Sequence, residues 1–190
     1  LSADELEIIV VVQHLSSAGS LWRARRSTPT APFGEVSPYP FIDDPDADRQ
    51  TPFISANGAE LFFARLEGST NADLYRVTRA ADGGIGPSEP LATLNTSKMD
   101  YTPVLSPDLL SLYFYSERLA SVGTGSIWVA HRDRPDGPFR APVRVEELVF
   151  DGAFSVPGSV SADNCRLYFH SNKDDGGTGH DVYVAERLPR

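Results

Sequence analysis

The chain restates itself about every 53 residues, and a period of that length constrains the fold before any single residue is weighed. Four Ser-x-Asp/Asn triplets recur, Ser2-Ala3-Asp4, Ser55-Ala56-Asn57, Ser106-Pro107-Asp108 and Ser161-Ala162-Asp163, at intervals of 53, 51 and 55 residues. Five residues beyond each Asp or Asn stands a pair of large apolar residues: Ile9-Val10, Phe62-Phe63, Tyr113-Phe114 and Tyr168-Phe169. A second apolar segment then centres on an aromatic, in turn Trp22, Tyr75, Trp128 and Tyr183, at intervals of 53, 53 and 55 residues. Two independent landmarks keep one spacing, which chance similarity explains poorly. A fixed period of this size marks an array of one supersecondary unit that cannot bury its apolar faces alone.

The second copy reads most clearly. Residues 51–55 form a short strand, stopped by the turn pair Asn57-Gly58. Residues 60–65 are too continuously apolar for a strand with one wet face and predict cover on both sides. Residues 73–79 alternate as a third strand, and 87–94 give a weak fourth in which Pro87 and Pro90 suit only an edge. Four antiparallel strands per copy describe a propeller blade. Only residues 2–6 and 145–149 carry a faint helical pattern, and the 15 Gly and 15 Pro punctuate the turns. The expectation is therefore an all-β propeller, or a segment of one, of about four blades, each a four-stranded antiparallel sheet. One domain spans 1–190, with repeats roughly 1–50, 51–101, 102–154 and 155–190.

The terminal blades read as incomplete: the first copy starts at its turn and the last stops after its third strand, giving 14 strands. This suggests a fragment or processed form of a longer propeller. Unpaired strands at both ends predict edge-to-edge self-association. Leu61, Phe63, Leu74, Leu112, Phe114, Ile127, Leu167, Phe169 and Val182 are the expected core.

A net charge of −9 and a pI near 4.8 argue against nucleic acid as a partner, because that binding rests on a basic footprint. The local basic cluster Trp22-Arg23-Ala24-Arg25-Arg26 reads as a solvated edge, its arginines split between faces by strand alternation. No apolar run reaches membrane-span length. Cys165 stands alone, so no intrachain disulfide is possible. Its repeat position is that of Leu6, Ala59 and Leu110, which predicts a small core slot rather than a nucleophile.

Asp100-Tyr101-Thr102-Pro103-Val104-Leu105-Ser106-Pro107-Asp108, followed by Leu112-Tyr113-Phe114-Tyr115-Ser116-Glu117-Arg118, resembles the repeat of TolB-type, WD-repeat-like propellers. Ser126-Ile127-Trp128-Val129-Ala130 and Asp181-Val182-Tyr183-Val184-Ala185 are similar to that repeat's closing strand. Leu109 stands where Gly is usual, the first copy lacks the Pro segment, and the fourth has one extra residue between Pro157 and Asp163. The resemblance implies an extracytoplasmic binding platform, periplasmic or secreted, or a repeat domain appended to other modules. Fold alone does not fix function.

Few constellations carry chemistry. Asp44, Asp46 and Asp48 alternate and could offer oxygens to a hard cation, but they lack the turn Gly and distal Glu of a helix-loop-helix calcium site; an acidic connection is the simpler reading. The Gly-rich run at 173–179 opens no helix and reads as a hairpin loop. His14, His131, His170 and His180 fall at different repeat positions, so no shared metal site, and no cofactor, is expected. Five-bladed glycoside hydrolases place two or three carboxylates in a central funnel, for which Asp48, Asp100 and Glu117 are the candidates. The competing account is that Asp100 serves the turn leading into its own blade. The favoured reading is a non-catalytic scaffold recognising a protein or glycan through loops on one face. Asp48, Arg49, Asp100, Tyr101, Glu117, Arg118, Asn172 and Lys173 are its candidate contact residues.

Overall fold

Each Ser-x-Asp/Asn triplet closes a turn with its own side chains. The computed structural model describes residues 1–13, 18–40, 47–68, 71–80, 82–121, 124–174 and 179–187. In the third turn the Ser106 hydroxyl donates to Asp108 Oδ1 at 2.6 Å and accepts the Ser111 amide at 2.9 Å; Asp108 Oδ1 also accepts the Leu110 amide at 3.0 Å. The same three bonds recur around Ser2-Asp4, Ser55-Asn57 and Ser161-Asp163. The third residue after each Ser is left-handed: Glu5 (φ 61°), Gly58 (69°), Leu109 (66°) and Asn164 (58°). Such backbone costs a residue like Leu109 about 1–2 kcal/mol, and the side-chain hydrogen bonds of the turn offset it.

From these turns the chain builds four antiparallel sheets. The first holds β1 (Glu7–Val12), β2 (Ser20–Arg25) and β3 (Ser37–Pro38). The second holds β4 (Asp48–Ile54), β5 (Glu60–Leu66), β6 (Ala72–Arg79) and β7 (Ile85–Pro90). The third holds β8 (Asp100–Leu105), β9 (Ser111–Ser116), β10 (Ser126–His131) and β11 (Val143–Arg144). The fourth holds β12 (Ser155–Val160), β13 (Arg166–Ser171) and β14 (Asp181–Glu186). The repeat aromatics occupy equivalent registers, with Trp22 opposite Val10, Tyr75 opposite Phe63, Trp128 opposite Phe114 and Tyr183 opposite Phe169. Of the two faint helical patterns, 145–149 contains a 3-10 turn at Glu146–Leu148 and 2–6 a turn only. This is a nearly all-β, propeller-type array of four antiparallel sheets, and no helix among the described residues is long and apolar enough to cross a membrane.

Sheets stack face to face through the alternation of their middle strands. Leu21, Leu61, Phe63 and Val77 fill the first seam; Phe62, Leu74, Leu112, Phe114 and Trp128 fill the second; Ile127, Leu167 and Phe169 fill the third. Each such side chain contributes about 1.5–3 kcal/mol when fully buried. Val182 departs from the expected core. It holds the place of Leu21, Leu74 and Ile127 yet is 78% exposed, because those residues face the following sheet and none of the described residues covers β14 on that side. Cys165 also departs from its expected core slot. It lies exposed in the fourth turn, its thiol turned back to the Asp163 carbonyl at 3.3 Å.

Ion pairs cross two of the seams. Arg132, just past β10, reaches back to the buried Glu60 of β5 through two bonds of 3.0 and 2.6 Å, and its side chain is wholly inaccessible. Arg79, at the end of β6, makes the corresponding 2.8 Å bond to the buried Glu7 of β1. The basic cluster is not a purely solvated edge: Arg23 and Arg25 share one face of β2 and both turn to Glu7, while Arg26, just beyond the strand, pairs with Glu5 and lies over Phe33.

Candidate functional site

The starts of β4, β8 and β12 and the ends of β5, β9 and β13 meet at one end of the sheets, as the pairings Asp48↔Leu66, Asp100↔Ser116 and Ser155↔Ser171 require. β8 packs against both β4 and β12, so these three inner strands are neighbours. Each carries a bulge, between Gln50 and Phe53, between Tyr101 and Val104, and between Pro157 and Ser159. Thr51 and Thr102 sit at the first two with φ of 48° and 52°. A bulge bends its strand and re-aims the side chains beside it. All eight candidate contact residues lie at this end.

Four of the eight are buried. Asp100 is wholly so: its Oδ2 accepts the Thr96 amide at 2.6 Å and hydroxyl at 2.8 Å, and its Oδ1 accepts Arg118 at 2.8 Å. Glu117 accepts the Tyr115 phenol at 2.9 Å, and that phenol accepts the Gly125 amide at 3.1 Å. Burial, then the Glu117 bond, pushes the Tyr115 phenol far above its ordinary range. Gly125 must lack a side chain here, since a Cβ would stand 2.7 Å from the Ser116 carbonyl. Arg49 donates to the Ala47 carbonyl at 3.1 Å, and Asn172 accepts the Phe154 amide at 2.9 Å.

The other four are partly accessible, and two of those are tightly held. Arg118 donates to Ser116 Oγ, to the Leu94 carbonyl and to Asp100, and lies over the Trp128 ring at 4.6 Å. Lys173 occupies the matching place on the fourth sheet, paired with Asp174 at 2.7 Å and 4.3 Å above the Tyr183 ring. Asp48 Oδ1 accepts the Gly19 amide at 2.9 Å and the Gln50 amide group at 2.8 Å. Tyr101 is half-buried, and burial, then the Asp48 charge, raises its phenol. Asp44 and Asp46 lie outside the described residues. Among the described residues no group of three His, Cys, Asp or Glu is placed to hold a metal.

Two features at this end escaped sequence reasoning. Asp73, at the start of β6, has its carboxyl raised by burial, then by the charges of Glu67 and Asp100. Its Oδ1 is buried without a hydrogen bond among the described residues. The Asp-Leu-Tyr pattern marks the strand, but nothing in it reveals the acidic neighbours. His170 and His180 stack 5.9 Å apart, with Phe154 edge-on to both. They are ten residues apart in sequence, and the β13–β14 hairpin brings them together.

No protein-family model matches the chain, and no curated protein does. Among solved structures it is similar to TolB from Acinetobacter baumannii, with TM-score 0.61 and 18% identity over 97% of this chain and 39% of that one. A thermostable family-43 glycoside hydrolase gives TM-score 0.61 and 14% identity, over 97% of this chain and 68% of that one. The periplasmic gluconolactonase of Pseudomonas aeruginosa gives 0.54 and 16%, over 98% and 56%. The chain thus spans about two fifths of the TolB chain it matches. All are β-propeller proteins, and at these identities the likeness is one of fold.

Proposed function

We propose that this chain is a non-catalytic recognition scaffold of TolB-like architecture, binding a protein or glycan through the sheet end that carries Asp48, Tyr101, Arg118 and Lys173. One observation carries the reading: the three carboxylates that the sequence offered for hydrolysis, Asp48, Asp100 and Glu117, all hold hydrogen bonds within the fold. Asp100 accepts from Thr96 and Arg118, Glu117 from the Tyr115 phenol, and Asp48 from the Gly19 and Gln50 amides. A glycosidase needs two carboxyl groups facing one sugar about 5–10 Å apart, one free to give a proton and one to attack or activate water. The family-43 likeness keeps a hydrolase as the alternative, and Asp73 beside Asp100 is the acid pair on which it would rest. Asp73 stands on β6, next to Ala72, which bridges to Met99 beside Asp100, but Asp100, its partner in that pair, already accepts from Thr96 and Arg118. The likeness to TolB and to a periplasmic gluconolactonase supports an extracytoplasmic location.

Recognition suits what stays accessible there. Tyr101 offers a ring and a hydroxyl on a rigid inner strand, and Lys173 a cation braced on aromatic rings. The test is a combined glycan and peptide array, probed with the native chain and with the Tyr101→Ala/Lys173→Ala double variant. The reading expects discrete ligands whose affinity the variant lowers at least tenfold, a change of about 1.4 kcal/mol. Ligands held equally by both proteins would overturn this choice of face.

A further inference from the structure

We propose that the cleft between the third and fourth sheets binds a small ligand carrying one carboxylate on an apolar body, with Arg187 as its counter-ion. The cleft lies at the Ser-x-Asp/Asn end, opposite the recognition face, and does not depend on that reading.

Arg26, Arg79, Arg132 and Arg187 stand at or just past the ends of β2, β6, β10 and β14, their amides bonded to the carbonyls of Leu6, Ala59, Leu110 and Cys165. Arg79 and Arg132 each reach back across a seam to a buried glutamate on the preceding sheet, Glu7 and Glu60. On the third sheet that place is held by Ser111, whose hydroxyl lies 3.0 Å from His131 Nδ1. Arg187 therefore meets no glutamate at the place its counterparts use, and it makes no ion pair among the described residues. Its side chain lines the cleft, and its charge acts on Tyr113 in the wall.

The space matches the missing charge. At the first seam the cleft at this end measures about 350 Å³ and contains Glu7 and Arg79. At the third seam it measures about 580 Å³, with Tyr113, Val129, Val145, Leu148, Val160 and Leu167 among its walls. That volume lies within the range usual for small-molecule sites, about 300–1,000 Å³. Two acids also border it, Glu186, which is held by Arg166 at 2.9 Å, and Glu147. A ligand carboxylate would take the place that Glu7 and Glu60 fill elsewhere, making a charge-assisted bond to Arg187, while its apolar part covers the valine and leucine walls.

Calorimetric titration with octanoate and its neutral isostere octanamide tests this. Octanoate should bind one to one and at least tenfold more tightly than octanamide. Arg187→Gln should bring octanoate down to the octanamide level. Ser111→Glu should do the same by rebuilding the cross-seam pair, with an unchanged circular dichroism spectrum and an undiminished Tm, whereas Ser111→Ala should leave binding intact. The proposal is overturned if octanoate gives no binding up to about 5 mM, a Kd range worth only about 3 kcal/mol. It is equally overturned if octanamide binds as tightly as octanoate, or if both Arg187→Gln and Ser111→Glu leave octanoate affinity unchanged.

Discussion

Asp73 is the residue most at odds with its surroundings. Burial and the neighbouring charges of Glu67 and Asp100 raise its carboxyl above the ordinary 3.8. A carboxyl raised on folding contributes stability that is fully present below its unfolded value and lost as pH rises through its folded value. At neutral pH the ionised group therefore works against the fold, and Asp73→Asn should raise Tm at pH 7, with the gain vanishing below pH 3.8. Thermal melts of both proteins at the two pH values decide it; a variant that melts lower at pH 7 would contradict the assignment. His170 runs the other way on the pH axis: burial, then the His180 charge, lowers its pKa from 6.5. The unfolded chain then binds the extra proton first, so stability is complete above 6.5 and declines as pH falls below it. His170→Phe should flatten that decline, and an unchanged slope of Tm between neutral and mildly acidic pH would count against it. Gly125→Ala should cost about 1–3 kcal/mol, as overpacking does, since its Cβ meets backbone at 2.7 Å.

At the scale of elements, what was legible in the sequence is what is local. The triplet turns, the aromatic registers and the weak outer strands each depend on residues within one copy, so the spacing of Ser2, Ser55, Ser106 and Ser161 was enough to find them. The arginines at the ends of β2, β6, β10 and β14 keep a spacing of 53, 53 and 55 residues too, but their role was not legible. Arg79 and Arg132 act on glutamates 72 residues earlier, and only the stacking of sheets brings the pairs together. The same holds for half of the candidate contact residues. Arg49, Asp100, Glu117 and Asn172 look like loop polar groups in sequence, and whether they face solvent or the next segment is set by the stacking. The buried pair makes a sharp prediction. Glu60→Gln leaves Arg132 uncompensated in a site without solvent, which should cost about 3–5 kcal/mol, whereas Glu186→Gln, in the exposed pair with Arg166, should cost less than about 1 kcal/mol. Urea unfolding of both variants reads the difference, and equal losses would refute the cross-seam account.

The whole molecule is a stack of four sheets whose last face is uncovered among the described residues. Leu74, Ile127 and Val182 share one repeat position, and only the first two are covered by a following sheet. Leu74→Ala or Ile127→Ala should cost about 2–5 kcal/mol, and Val182→Ala within about 0.5 kcal/mol. The exposed Val182 and Val184 lie on the edge strand β14, which among the described residues pairs only with β13. The chain alone should therefore self-associate in light scattering, and Val184→Lys should reduce that association; a native chain that stays monomeric would contradict it. The central claim is that the acids at the recognition end hold the fold rather than perform chemistry. Its most direct measurement is hydrolysis of a panel of nitrophenyl pentosides and hexosides by the native chain, Asp48→Asn, Asp100→Asn and Glu117→Gln, with thermal unfolding of each. The account predicts no turnover above the uncatalysed rate in any of the four, and a Tm for Asp100→Asn lower by several degrees, about 2–4 °C per kcal/mol for a chain of this size. Turnover by the native chain, abolished by one of these substitutions at unchanged Tm, would contradict it.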